Sequence, residues 1–195
     1  MQARVYLVRD GKVAPVSRTV PSPDAAYLLL ALVDGPNAAE RDLGLTTAVP
    51  DRTGITPSSR LGLAQVVYTL SQFDPSRPVE FLGDAYTRAD FEEQTPAILI
   101  ESPLPFQTVT SPLHATGTAD TFEATFQYEL KDATGKVLAK HVVTATSGSG
   151  IRGTFDVSIP FTVQSTQKGT LTVYEVSAKD GSRIHQVVVP LTLAP

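Results

Sequence analysis

The side chains able to do acid–base or metal chemistry are few and far apart in this chain. His114, His141 and His185 are its three histidines, each more than 25 residues from the next. Neither an HxH nor an HExxH spacing occurs, so no two of them are pre-set on one face to ligate a metal. There is no Cys, which removes thiolate nucleophiles, disulfides and Cys-ligated zinc or iron–sulfur sites. Asp90, Glu92 and Glu93 form an acidic cluster. Its spacing lacks the alternating oxygen ligands of a calcium loop, and it reads as a solvated linker. Residues 148–153 spell GSGIRG, a literal GxGxxG. A dinucleotide loop needs a helix behind it to meet the phosphates, and here the strand-like run Thr154 to Val163 follows, so the motif reads as a turn. No GxSxG nucleophile elbow is present. The expectation is a non-enzyme, with no catalytic residue, no cofactor site and no metal site.

The bulk properties narrow the partners. The formal net charge is -4, and no clustered basic run suggests nucleic acid. No apolar run reaches the roughly 18 residues that a membrane span needs. Residues 1–95 carry 9 Lys+Arg against 12 Asp+Glu, and residues 96–195 carry 7 against 8. The stretch from Thr87 to Pro96 is polar and ends in proline, as a linker between two modules would. The domains are expected at 1–93 and 97–195.

The first module mixes helix and strand. Arg4 to Val8 is strand-like, Asp10-Gly11 is a hairpin turn, and Val13 to Val20 is the return strand. Ser22-Pro23-Asp24 has the order of a helix start, with Ser at the N-cap and Pro at N1. Ala25 to Val33 is apolar on most faces, which predicts a well buried helix ended by Asp34-Gly35-Pro36. Asn37 to Glu40 fits a short capped turn with Glu at N3. Leu63, Val66, Val67, Leu70 and Phe73 recur at helical spacing and predict a second helix over 60–73. Val79 to Leu82 reads as a last strand.

The second module is all strand. Phe122, Ala124, Phe126, Tyr128 and Leu130 alternate with Glu123, Thr125, Gln127, Glu129 and Lys131, one set facing a core and the other water. Phe155 to Val163 repeats the pattern, with Pro160 marking an edge or a bulge. Further strand runs are Ile98–Glu101, Leu113–Thr118, Val137–Thr146, Leu171–Ala178 and Ile184–Leu193. About seven strands with turn residues between them predict an immunoglobulin-like β-sandwich held without its usual disulfide.

Two resemblances follow from particular segments. Ile100-Glu101-Ser102-Pro103, the run VTSPLHATGTADTFEATFQYELKDATGKVLA at 109–139, and LTVYEVSAKDGS at 171–182 resemble the immunoglobulin-like domain of bacterial spore germination, the Gmad family. VYLVRDGKVAPVSRTV at 5–20, LLALVDGPNAAERDLGLTTAVP at 29–50 and LAQVVYTLSQF at 63–73 resemble a GerMN (sporulation and spore germination) domain. The pairing implies an exported, often lipid-anchored, non-catalytic module of the bacterial cell envelope. GerMN domains are similar to the ring-building motifs of secretion machines, which implies partners that are other envelope proteins or further copies of the chain.

One departure changes the expected fold. The family carries two extra strands where this chain has only Asp51 to Arg60, and two strands of five plus a turn need roughly twelve residues. The first domain is therefore expected to be a shortened α+β GerMN-like unit, a small sheet with two helices. The start at Met1-Gln2 shows neither a signal peptide nor a lipobox Cys, and a trimmed leader is the expectation. Glu123 and Lys179 lie in the two most diagnostic motifs. They read as a structural ion pair or turn support, or as partner contacts. With Asp180 and Ser182 of the hairpin tip they form the candidate interface. An alternative is a carbohydrate or cell-wall binding module using Tyr86, Phe91, Phe106 and Tyr174.

Overall fold

Val5 to Val8 form an unbroken buried run, and with Val13 and Val16 on the return strand they make a long hairpin. The computed structural model describes residues 1–49, 59–81 and 83–195. By its internal packing the chain falls into two compact units, Met1–Pro96 and Ala97–Pro195. The expectation about the short segment 51–60 falls largely on residues outside the described ones.

In the first unit, β1 (Gln2–Arg9) pairs antiparallel with β2 (Lys12–Thr19), from Gln2↔Thr19 to Arg9↔Lys12. The turn residues Asp10 and Gly11 take φ of 52° and 73°, the left-handed pair that a two-residue hairpin turn requires. Among the described residues three helices follow: α1 (Ala25–Val33), α2 (Ala38–Asp42) and α3 (Arg60–Leu70). A small hairpin of β3 (Val79–Phe81) and β4 (Asp84–Tyr86) and a 3-10 segment over Arg88–Gln94 complete it. The core is Val5, Leu7, Val16, Leu32, Leu45, Val49 and Val66.

α3 does more than bury apolar residues. A two-stranded sheet leaves backbone groups unpaired along β1, and buried groups of that kind must find partners. Polar side chains of α3 supply them. Gln65 donates to Tyr6 O at 2.8 Å, Thr69 Oγ1 accepts from Tyr6 N at 3.1 Å, and Gln72 just beyond the helix accepts from Arg4 N at 2.6 Å.

Several sequence expectations change here. α1 starts after Asp24 rather than Ser22, and the Ser22 hydroxyl instead donates to the Asp24 carboxylate at 2.5 Å. α1 is not well buried: only Leu28 and Leu32 are, while Tyr27 and Leu30 face solvent. One side of a hairpin and one neighbouring helix cannot cover a whole helix perimeter. α3 ends at Leu70 and leaves Phe73 exposed past its cap. The expected linker is built into the first unit. Phe91 is fully buried under Arg60, whose guanidinium stands 5.0 Å from the ring. Thr95 is buried beside the Tyr68 hydroxyl at 2.6 Å.

The second unit has two sheets around one core. β5 (Ile98–Ser102), β7 (Leu113–Ala119) and β10 (Gly153–Ile159) form a three-stranded sheet in the order β10-β7-β5, with β6 (Thr108–Val109) lying between β5 and β7 in the chain. β8 (Thr125–Asp132), β9 (Val137–Thr144), β11 (Gln167–Val176) and β12 (Arg183–Leu193) join β6 in a sheet ordered β6-β12-β11-β8-β9. Inner residues of both sheets meet in one cluster, with the Phe126 and Phe155 rings edge to face at 4.9 Å. Gly117 lets β7 lie close to β5, since a Cβ there would stand 1.9 Å from Leu99 O.

Pro160 follows β10, an edge strand, instead of interrupting it. The alternation also stops one step earlier than the sequence suggests. Phe122 belongs to a turn, not to β8, and is 59% exposed. Glu129, expected to face water, is buried.

Candidate functional site

Strand register brings three loops to one end of the second unit. The turn 120–124 precedes β8, the loop 145–152 joins β9 to β10, and the hairpin 177–182 joins β11 to β12. The pairs Thr125↔Thr144, Gly153↔Ala119 and Tyr174↔Gln127 place them side by side. Glu123 and Ala124 hold φ of 53° and 57°, and Ser149 holds 56°. Left-handed backbone at non-glycine residues costs energy and persists where surrounding bonds fix it. Those bonds are present. Glu123 N donates to Ser149 Oγ at 3.1 Å, and Gly150 N donates to Asp120 Oδ1 at 2.8 Å. Phe122 N donates to Glu175 Oε1 at 2.9 Å. Gly148 packs so closely that a Cβ would stand 2.5 Å from Thr121 O. The GSGIRG segment is thus a tightly packed loop rather than a loose turn, and a strand follows it. The outcome is an ordered tip that holds two apolar side chains in water, Phe122 and Ile151 (69% exposed).

The candidate residues named from sequence all lie at this end, in two separate turns. Glu123 sits in the first. Lys179, Asp180 and Ser182 sit in the hairpin, where Asp180 Oδ1 accepts from Ser182 N at 3.0 Å and from Ser182 Oγ at 2.7 Å. Those Ser182 bonds hold the Asp180 carboxyl below its usual range. Lys179 N donates to Ser177 Oγ at 3.2 Å.

The strongest electrostatic feature is one that sequence reading passed over. Glu129 lies on the outer face of the five-stranded sheet, with its side chain 4% exposed. Three cations converge on its carboxylate: Arg183 at 2.5 Å, Lys140 at 3.0 Å and Lys131 at 3.2 Å. Arg183 binds both oxygens, and the Tyr174 hydroxyl lies 3.1 Å from Oε1. The Arg183 guanidinium also covers the Tyr174 ring, 4.0 Å from its centroid. A carboxylate loses hydration when buried, and only paired charges offset that loss. Here the pairing wins. Hydrogen bonds led by Arg183 hold the Glu129 carboxyl at about 2 against the cost of burial. The carboxylate in turn raises Lys140 and Arg183 above their ordinary values.

The histidines sit on β7, β9 and β12. His114 lies 3.9 Å from Asp156 in water, the His141 ring lies tilted 6.1 Å from that of Tyr128, and His185 Nδ1 meets Glu175 Oε2 at 2.8 Å. A groove of about 520 Å³ between Ser111, Lys136–Leu138 and Pro160–Thr162 holds one titratable side chain, Lys136. Among the described residues no cluster of three or more His, Asp or Glu could hold a metal ion, and no helix is long and apolar enough to cross a membrane. Of the aromatics considered for sugar stacking, Phe91 and Tyr174 are buried, and only Phe106 of the four is classed with the exposed large apolar residues.

The architecture of the second unit, two antiparallel-rich sheets around one core, defines an immunoglobulin-like β-sandwich. Residues 97–182 match the family described as the immunoglobulin-like domain of bacterial spore germination. No curated protein matches the chain.

Proposed function

We propose that this protein is a non-catalytic interaction module of the bacterial cell envelope, related to germination proteins. Its first unit acts as a shortened GerMN-like domain and its second carries a protein-binding end. The observation that carries the reading is the loop end of the sandwich, where hydrogen-bonded left-handed turns hold Phe122 and Ile151 in water. Backbone strain and exposed apolar area both cost stability, and a binding partner that covers the tip offsets the second. The candidate residues Glu123, Lys179, Asp180 and Ser182 form the polar rim of that tip.

An exported location fits the same reading, because a Cys-free sandwich does not rely on the redox state of its compartment. The test is a Phe122→Ser/Ile151→Ser variant compared with the unaltered protein in pull-downs from envelope fractions. Specific envelope proteins are expected to be retained by the unaltered chain and lost by the variant, while unfolding midpoints agree. Equal retention by both would contradict the reading, as would retention of glycan alone.

A further inference from the structure

The outer face of the five-stranded sheet carries charge that the rest of its unit does not predict. Residues 97–195 hold 7 Lys+Arg against 8 Asp+Glu. The register nevertheless places Lys131, Lys140, Lys168 and Arg183 on one face, with Glu129 as its acidic member. Three of those cations share the single Glu129 carboxylate, and each is more than a third exposed. One carboxylate neutralises one cation. The cluster is therefore ordered, pre-assembled and positively charged in excess, and the cost of gathering its cations is already met within the fold.

β9 is the terminal strand of its sheet, with β8 on its inner side. Lys140, His141 and Val142 along it are exposed. Val142 is 62% exposed and sits opposite Gln127, on the same face as Lys140 and Glu129. The groove between Lys136–Leu138 and Pro160–Thr162 lies beside the start of this strand. Asp132, the nearest acid by sequence, is occupied in its own turn, accepting from Thr134 N at 2.9 Å, Thr134 Oγ1 at 2.7 Å and Lys136 N at 3.0 Å.

We infer that β9 is the docking edge for an extended acidic segment of a partner protein. The segment adds a strand beside Val137–Thr144 and sets a carboxylate against Lys140, the member of the Glu129 cluster that stands on the edge strand itself. Strand addition supplies backbone hydrogen bonds, and alternate side chains of the added strand meet the outer face. At a Cβ spacing of about 5 Å between strands, a Glu opposite Lys140 reaches its ammonium. Apolar residues two positions away meet Val142. The cations then distinguish Glu from Gln, because a neutral side chain leaves their surplus charge unanswered. This edge meets the Phe122 tip only at its Thr144 end, and the two tests alter different residues, so either surface can fail its test while the other stands.

The experiment titrates the full chain with two synthetic peptides of alternating sequence, one Glu-Val and one Gln-Val, following backbone amide signals. Saturable shifts are expected for the Glu-Val peptide at Val137–Thr144, with the Gln-Val peptide at least roughly tenfold weaker. Lys140→Gln, an exposed and mild change, is expected to weaken Glu-Val binding roughly fivefold, and Arg183→Gln, three strands further in, less than that. Raising salt is expected to weaken it further. Equal binding of the two peptides, no binding, or shifts that map elsewhere would overturn the inference. So would displacement by inorganic phosphate at equal molar affinity, which would make the cluster a bare oxyanion site without strand docking.

Discussion

Glu40 in the first unit and Glu129 in the second are both buried against cationic side chains, and the two sites solve the problem differently. In the first unit Glu40 caps its own helix. Its Oε2 accepts from Asn37 N at 2.9 Å while Asn37 Oδ1 accepts from Glu40 N at 3.0 Å. Arg18 then closes a two-point pair at 2.6 and 2.7 Å and also reaches Gly35 O at 2.9 Å. One charge meets one charge, both largely buried. In the second unit one buried carboxylate meets three half-exposed cations. The Glu40 pair is neutral and serves the fold. The Glu129 cluster keeps positive charge in water, where a partner can use it.

The contrast can be broken by mutation, and the largest effect belongs to the balanced pair. Glu40→Ala removes the capping box and strands a buried guanidinium, and is expected to cost about 3 kcal/mol. Amide hydrogen exchange in β1 and β2 measures it. Arg18→Met is expected to cost about 2 kcal/mol by the same readout, with strong coupling to Glu40 in a double-mutant cycle. Glu129→Ala comes next, at about 1–2 kcal/mol in β8, because its cations can swing into water once released. Lys131→Met is the smallest, roughly 0–1 kcal/mol, since two cations remain on the carboxylate. If Lys131→Met cost as much as Arg18→Met, the distinction between balanced and surplus charge would fail.

Acid sharpens the same point. The Glu129 carboxyl is lowered in the folded protein to about 2, chiefly by Arg183, from an unfolded value near the ordinary ~4.3. A lowered folded value means stability that is fully present above the unfolded value and lost as pH falls through the folded one. The stability gap between the unaltered protein and Glu129→Gln is therefore expected to hold steady above about pH 5. It is expected to close between roughly pH 4.5 and 2. Urea midpoints at stepped pH measure it.

What was legible in the sequence follows the range of the interactions. The Asn37–Glu40 capping box and the Asp10-Gly11 turn are local, set by residues within three positions, and could be read directly. Arg18, Glu40's partner, lies 22 residues away and could not. Strand periodicity exposed the sandwich core at Phe126, Tyr128 and Leu130. It placed Glu129 on the wet face, which is geometrically right. It missed that Lys140 stands opposite, because strand pairing and the irregularity at Leu130/Lys131 are tertiary facts. Phe122 was misread as core because two left-handed residues, Glu123 and Ala124, break the strand just after it. Neither carries the glycine signature that normally marks such a break. Tyr27 and Leu30 on α1 were misread because composition alone does not tell how much neighbouring structure is available to cover a helix.

The most direct test of the shared-carboxylate account is the titration of the Glu129 side chain, followed by carboxyl carbon NMR in the folded chain. The account predicts a midpoint near 2, still well below the ordinary carboxyl range after Lys131→Met or Lys140→Gln. A midpoint near the ordinary ~4.3 in the unaltered protein, or a return to it on loss of one lysine, would contradict it.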